Sequence, residues 1–149
     1  MTKLIHRRGN IFDTDALAIG HGVNTQGVMG AGIAVQFKNR WPDMYHAYRR
    51  ACLSGSFSGG QVLPWGVGEG RIVLNIASQE APGANASYEF LFNGVSKSLP
   101  WLEAMGITTL ALPRIGSGIG GLDQNIVEGL LLALAMHTPV DIELWTYEA

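Results

Sequence analysis

The chain has 149 residues, 47 % hydrophobic and 15 % charged, so it has enough apolar side chains for one folded core and is not a disordered polymer. Its 10 basic and 12 acidic residues give a formal net charge of −2, which argues against a positive field that would collect duplex DNA or an acidic membrane. We expect a cytoplasmic protein without an internal disulfide, a secretion signal or a membrane span. The chain has one cysteine, becomes polar within its first residues, and has no apolar run near about 20 residues.

Short apolar runs alternate with stretches of helical period, which is typical of an α/β fold. In chain order the pattern predicts strands at 3–6 and 15–22, helices at 30–39 and 42–52, strands at 61–64 and 71–77, a helix from 88 to about 105, a strand at 108–112, a helix at 123–136 and a strand at 141–147. Ser87 and Asp123 are predicted helix N-caps, and Pro100 is predicted to kink its helix. Because no repeat or linker interrupts the chain, we assign residues 1–149 to one domain.

The titratable side chains suited to metal binding are scattered along the chain. The four histidines, His6, His21, His46 and His137, are not paired at metal-ligand spacing, and there is no CxxC motif. Cys52 has no cluster of positive neighbours that would activate a thiol, so we interpret it as a packing residue. We therefore expect neither a metal site nor a cofactor.

Two glycine-rich segments each follow a predicted strand and precede a predicted helix: "IGHGVNTQGVMGAGIA" at 19–34 and "LPRIGSGIGGL" at 112–122. Glycines let main-chain N–H groups converge on an anion, and a helix N-terminus adds roughly half a positive charge. In open α/β sheets ligands bind at the carboxyl ends of strands. Together the segments predict a diphosphate site, although tight turns and close packing also require glycine. Neither segment matches a P-loop or the dinucleotide fingerprint.

These segments, together with "GNIF" before them, resemble the macro domain, an ADP-ribose-binding family, over residues 9–147. "MGAGIAVQFK" and "ALPRIGSGIGGLD" are similar to the branch with the terminal ADP-ribose glycohydrolases, the DNA ADP-ribosyl glycohydrolase antitoxins and the ADP-ribose 1''-phosphate phosphatases. The resemblance implies a three-layer α/β/α fold around a mixed sheet of about six strands. It also implies a monomer whose partner is ADP-ribose, a derivative of it, or ADP-ribosylated protein or nucleic acid, and not a membrane.

The resemblance implies a binding role for both glycine segments. One side of the diphosphate and distal ribose would meet Gly30, Ala31, Gly32 and Ile33, and the other side Pro113, Ile115, Gly116, Ser117, Gly118, Ile119 and Gly120. The adenine end would meet Asn10 and the backbone of Ile11, with Tyr147 as the stacking ring. Asn10 stands where the family usually has aspartate, and an amide oxygen accepts the adenine amino proton without a full charge.

For catalysis the chain departs from the lysine-dependent glycohydrolases of this branch. Ser78 and Gln79 stand where the nucleophilic lysine would fall, and Gly120 where an aspartate would fall, so a covalent lysyl mechanism is not expected. The remaining candidates are His21, Asn24 and Gln79. Asn24 matches an asparagine that binds the distal ribose in hydrolases where a substrate phosphate helps to position the attacking water.

His21 matches the position where the phosphatase-like members have a histidine, and its ordinary pKa near 6.5 suits a general acid or base. Each remaining candidate also has a structural interpretation. His21 is equally suited to packing in a strand, Gln79 to a solvated loop, Asp123 to capping, and Arg114 to an ion pair rather than a phosphate. Two functions follow: a metal-independent hydrolase acting at the distal ribose, on ADP-ribose 1''-phosphate or an ADP-ribosyl adduct, or a non-catalytic reader or sponge.

Overall fold

A computed structural model describes residues 4–117 and 120–148. Within these ranges the elements follow the predicted order: β1 (Leu4–Arg8), β2 (Ala18–Val23), α1 (Ile33–Arg40), α2 (Pro42–Leu53), β3 (Val62–Gly68), β4 (Arg71–Ala77), α3 (Tyr88–Ala104), β5 (Thr109–Pro113), α4 (Gln124–Ala135) and β6 (Asp141–Thr146). A single turn of 3₁₀ helix at Ile11–Asp13, which the sequence did not predict, precedes β2. In the part of the chain that is described, no helix is both long and apolar enough to span a bilayer.

The six strands form one mixed sheet in the order β1-β6-β5-β2-β4-β3. Every neighbouring pair is parallel except β3 and β4, which form a hairpin. Because β2, β4, β5 and β6 run in the same direction, the loops that follow them emerge at one edge of the sheet. The predicted mixed sheet of about six strands is confirmed, and its parallel part directs both glycine-rich segments to the same edge.

Helices cover both faces of the sheet. One core cluster joins α3 and α4 to the strands through Leu91, Val95, Leu99, Leu102, Val127 and Leu131. The opposite cluster joins α1, α2 and the 3₁₀ helix to the strands through Ile11, Phe37, Met44 and Tyr48. The central strands are therefore buried on both faces, which explains their nearly continuous apolar sequence. The three-layer α/β/α arrangement is confirmed.

Element boundaries differ from the prediction where glycines take special backbone angles. Helix α1 begins at Ile33 rather than at residue 30, because Gly32 has φ +61° and ψ −147°, a combination that L side chains rarely adopt. Strand β3 extends to Gly68, since its turn to β4 uses only Glu69 and Gly70, both with left-handed φ. The later start of α1 leaves residues 30–32 as an open turn before the helix.

The two predicted caps are present. The Ser87 hydroxyl accepts a hydrogen bond from the Phe90 N–H at 3.2 Å, and the Asp123 carboxylate accepts one from the Asn125 N–H at 2.9 Å. Each bond satisfies one of the N–H groups that an α-helix leaves unpaired at its start. Pro100 lies inside α3 as expected, and its kink stays a prediction.

Candidate functional site

A cleft of about 760 Å³ opens at the carboxyl edge of the sheet. It lies between the β2–α1 loop (residues 24–32), the β4–α3 loop (78–87), the described part of the β5–α4 loop (114–117 and 120–123) and the end of β6. Its described lining comprises Gly22, Val23, Asn24, Val28, Gly30, Ala31, Gly32, Ile33, Ala34, Ser78, Gln79, Pro82, Gly83, Pro113, Arg114, Ile115, Gly116, Ser117, Gly120, Trp145, Thr146 and Tyr147. A cleft of this volume is large enough for a nucleotide-sized ligand.

The β2–α1 loop presents an uncapped helix start to the cleft. Gly32 is the N-cap of α1, and no side chain makes a capping hydrogen bond there. The first N–H groups of an α-helix have no intrahelical partner, so those of Ile33 and Ala34 are free of the helix's own ladder. Gly30 and Ala31 are exposed beside them. This turn therefore combines small residues, N–H donors and the positive end of a helix dipole, which suits an anion.

The described part of the β5–α4 loop bounds the cleft, but two of its main-chain N–H groups are already hydrogen-bonded within the loop. The Ile115 N–H donates to the Pro113 carbonyl at 2.9 Å, and the Ser117 N–H to the Arg114 carbonyl at 3.1 Å. Gly116 has φ +79°, and a Cβ there would lie 2.5 Å from the Leu122 side chain, so this position requires glycine. Two of the main-chain donors expected to hold a ligand are thus already used within the turn. Gly118 and Ile119 lie outside the described residues.

Asn24 is held by its own loop. Its side-chain Oδ1 accepts from the N–H groups of Gln26 at 3.0 Å and Val28 at 3.3 Å, and from the Tyr48 hydroxyl at 2.8 Å. Its Nδ2 donates one proton to the Val28 carbonyl at 2.8 Å. An asparagine amide has two N–H donors, so the second remains for a ligand, and Asn24 lines the cleft. Asn24 therefore presents a donor, not an acceptor.

The side-chain amide of Gln79 is held by its nitrogen, whereas three of the four contacts of the Asn24 amide are to its oxygen. Its Nε2 donates to the carbonyls of Ala81 at 2.7 Å and Gly83 at 3.2 Å, which uses both protons of the amide. Its Oε1 faces the β5–α4 loop, because a Cβ added at Gly120 would lie 3.7 Å from it. Gln79 thus presents an acceptor to the cleft. It is partly buried and hydrogen-bonded, not a freely solvated loop side chain.

Among the described lining residues, Arg114 is the only cationic side chain. Its Nε donates to the Thr146 hydroxyl at 2.8 Å and its Nη1 pairs with the Glu128 carboxylate at 2.5 Å. These contacts match the structural ion pair that the sequence left open for Arg114. The described lining contains no lysine.

The structure does not bring His21 to the cleft. The side chain is fully buried, and its ring stacks on Phe37 with 3.8 Å between ring centroids. Its Nε2 lies 2.6 Å from Asn75 Oδ1, and the amide of Asn75 donates to the Leu63 carbonyl at 3.0 Å, so Nε2 is the nitrogen that carries the proton. Burial lowers the pKa of His21 to about 4, despite the bond to Asn75 that raises it. The position is that of a packed strand residue, the alternative to a general acid or base.

The structure places only one of the three residues expected at the adenine end in the described lining of the cleft. Tyr147 lines the cleft and is 69 % exposed, as a stacking ring requires. Asn10 instead caps the 3₁₀ helix by accepting from the Phe12 N–H at 3.0 Å, and Ile11 is buried. Neither belongs to the described lining of the cleft.

Sequence reasoning gave no site role to eight lining residues, namely Gly22, Val23, Val28, Ala34, Pro82, Gly83, Trp145 and Thr146. Most are small or apolar, so their side chains carry no polar group that would mark them as ligand contacts. The last two precede Tyr147 in a predicted strand, and their place could have been inferred once the strand was assumed parallel to its neighbours.

A sequence model of the macro domain family matches residues 21–131. The chain is 31 % identical over 144 residues to the DNA ADP-ribosyl glycohydrolase of Thermus aquaticus, which covers 95 % of this chain and 40 % of that protein. It is 26 % identical over 148 residues to the human ADP-ribose glycohydrolase OARD1, covering 97 % and 92 %. The solved macrodomain of Mycobacterium tuberculosis DarG superposes with a TM-score of 0.89 at 28 % identity, covering 99 % of this chain and all of that one. The chain thus spans about two fifths of the length of the DNA ADP-ribosyl glycohydrolases it matches.

Proposed function

This chain belongs to the macro domain family, and from that premise we propose that its cleft binds ADP-ribose and that it hydrolyses a bond at the distal ribose of an ADP-ribose derivative. The bond is either a 1''-phosphate ester or the link to an ADP-ribosylated protein or nucleic acid. Hydrolysis agrees with the activities for which relatives of two lengths are named, the longer DNA ADP-ribosyl glycohydrolases and the similarly sized human ADP-ribose glycohydrolase.

The observation that carries the binding proposal is the meeting of the two glycine-rich loops across one cleft. The uncapped start of α1 supplies N–H donors and the positive end of a dipole on one side. The turn around Gly116 bounds the other side without side chains that would fill the space. A diphosphate fits between them, with Tyr147 at the open end of β6 for a base to stack on.

The hydrogen bonds that fix the side-chain amides of Asn24 and Gln79 support a role for both residues beside the bond at the distal ribose that is hydrolysed. A water held by the side-chain Oε1 of Gln79 would attack C1'' of the distal ribose and form a new C1''–O bond, while the bond from C1'' to the substituent breaks and its electron pair leaves with the substituent. The proton lost by the water would pass to the departing group through solvent or the substrate's own phosphate. The Asn24 N–H would donate to an oxygen of the distal ribose.

One observation favours the second candidate, a reader or sponge. The described lining residues include no histidine, carboxylate, lysine or cysteine, which are the side chains that most often transfer protons in catalysis. Proton transfer by a positioned side chain contributes about 10²- to 10⁴-fold to a rate. We therefore expect slow turnover, or binding alone.

The test is a substrate panel at stoichiometric protein concentration, with EDTA present and products identified by mass spectrometry. ADP-ribose 1''-phosphate, an ADP-ribosylated peptide and an ADP-ribosylated oligonucleotide are incubated separately, and ADP-ribose affinity is measured by calorimetry. We expect ADP-ribose to bind and one substrate to be cleaved, at least about tenfold more slowly by Gln79→Ala.

The matched control is Gln26→Ala, because the Gln26 side chain is exposed and does not line the cleft. Binding without any product would establish the reader instead of the hydrolase. Absence of ADP-ribose binding at millimolar concentration would remove both functions.

A further inference from the structure

Two tyrosines of α2 hold the β2–α1 loop from behind. The Tyr45 hydroxyl donates to the Gly27 carbonyl at 3.1 Å. The Tyr48 hydroxyl lies 2.8 Å from both the carbonyl oxygen and the side-chain Oδ1 of Asn24. The two tyrosines are three residues apart and share one face of the helix. Each anchors the loop, but only Tyr48 contacts the side chain of Asn24.

Tyr48 is fully buried and has no surface on the cleft. Its burial, followed by its contact with Cys52, raises the pKa of the phenol above its ordinary value. The hydroxyl therefore keeps its single proton throughout the neutral range and donates it to Asn24, where the carbonyl oxygen and Oδ1 share it at equal distances. Any influence of Tyr48 on a ligand has to pass through the residues that it contacts.

The orientation of the Asn24 amide follows from the donors around it. Three N–H or O–H groups, from Gln26, Val28 and Tyr48, converge on Oδ1. A reversed amide would direct its NH₂ group at these donors and lose its bond to the Val28 carbonyl. The two backbone donors belong to a loop without regular structure, whereas Tyr48 belongs to a helix packed on the sheet, so Tyr48 is the rigid member of the set.

We propose that Tyr48 is a positioning residue for Asn24: its hydroxyl holds the amide so that the second Nδ2 proton points into the cleft, toward an oxygen of the distal ribose. The ribose as the recipient rests on the proposed function. The orientation of the amide does not, because it is set by contacts within the protein.

The binding test compares Tyr48→Phe with the matched control Tyr45→Phe, since each variant removes one phenolic hydroxyl that bonds the same loop. Calorimetry measures ADP-ribose and ADP, which lacks the distal ribose. Tyr48→Phe is expected to weaken ADP-ribose binding about fivefold to tenfold and to leave ADP binding within about twofold, because one net hydrogen bond is lost. Tyr45→Phe is expected to leave the ratio of the two affinities unchanged.

A double variant tests whether Tyr48 acts through Asn24. Tyr48→Phe combined with Asn24→Ala should bind ADP-ribose as Asn24→Ala does alone, because two residues of one hydrogen-bonded unit are not additive. Additive losses, or equal losses for ADP and ADP-ribose in Tyr48→Phe, would overturn the proposal and leave Tyr48 as general support for the loop.

A second readout needs no ligand. Hydrogen exchange of the Gln26 and Val28 N–H groups, measured by NMR in the free protein, reports their bonds to Asn24 Oδ1. Tyr48→Phe should speed exchange at both positions at least about threefold, and Tyr45→Phe should not. Unchanged exchange in Tyr48→Phe would refute the positioning role even if ADP-ribose binds. If the wild-type chain binds no ADP-ribose, the proposed function fails, and faster exchange still upholds the role of Tyr48 in orienting Asn24.

Discussion

At the scale of single residues, the polar side chains of the cleft are oriented by the protein itself. Asn24 and Gln79 are both primary amides, and each could present either its oxygen or its nitrogen. Contacts to Val28 on one side and to Ala81 and Gly83 on the other leave a donor at Asn24 and an acceptor at Gln79. Such preorganisation reduces the cost of ordering the site when a ligand binds.

His21 provides a prediction at the same scale. Its pKa is near 6.5 in an unfolded chain and about 4 in the fold, because burial disfavours the charged ring. Between these pH values the folded state binds fewer protons than the unfolded state. The free energy of unfolding therefore falls as the pH is lowered through this window, and the contribution of His21 is fully present above it. The loss between pH 7.5 and 5.0 should be about 2 kcal/mol.

Urea unfolding at pH 7.5, 6.5 and 5.0 measures this dependence. In His21→Gln the side chain still donates to Asn75 but does not titrate, so the part of the slope that His21 causes should disappear. An equal slope in both proteins would show that other groups cause the loss.

At the scale of elements, the decisive feature is where α1 begins. A helix that started at residue 30 would use the N–H groups of Ile33 and Ala34 in its own hydrogen-bond ladder, whereas the start at Ile33 leaves them unpaired and residues 30–32 as a turn at the cleft. The loops around it differ in kind, because the β5–α4 turn uses the N–H groups of Ile115 and Ser117 internally. The start of α1 therefore supplies main-chain N–H donors and the positive end of a helix dipole, whereas the described β5–α4 turn has already used two of its donors.

Ala31→Glu tests that source. Ala31 is exposed and lines the cleft, so the substitution should leave the fold intact and place a carboxylate near the diphosphate. Repulsion between the new carboxylate and the diphosphate should weaken ADP-ribose binding roughly tenfold to a hundredfold, or about 1–3 kcal/mol. Ala31→Gln has nearly the same size without the charge. The electrostatic explanation would be wrong if calorimetry gave both variants the same affinity.

At the scale of the whole molecule, the cleft joins loops from four parallel strands and both helical layers. A ligand there contacts the β2–α1 loop, the β5–α4 loop and the end of β6 together. Binding to the folded state alone should therefore stabilise the complete fold rather than one element.

Thermal unfolding measures this linkage. ADP-ribose at about 100 times its dissociation constant should add about 2.7 kcal/mol, which corresponds to a rise in Tm of roughly 5–10 °C for a chain of this size. AMP at equal concentration lacks the second phosphate and the distal ribose, and should raise Tm by less. Equal shifts for both would mean that the glycine-rich loops do not hold the diphosphate.

Local patterns were sufficient for much of the fold. The element order, the caps at Ser87 and Asp123 and the two glycine-rich segments follow from side-chain periodicity, hydrogen-bonding capacity and glycine's freedom, which act over a few neighbouring residues. The start of α1 was predicted three residues early, because a helical pattern of apolar residues does not reveal the φ of Gly32.

The sequence by itself determined which segments become strands, helices and flexible-backbone turns, because those choices depend on contacts between residues close in the chain. Only the tertiary structure decided that residues 24–32 face residues 114–117 and 120, that His21 lies in the core while Asn10 caps the 3₁₀ helix, and which atom each amide presents. Those outcomes depend on strand order and on side chains from distant segments, such as Tyr48 beside Asn24, whose contacts no local pattern encodes.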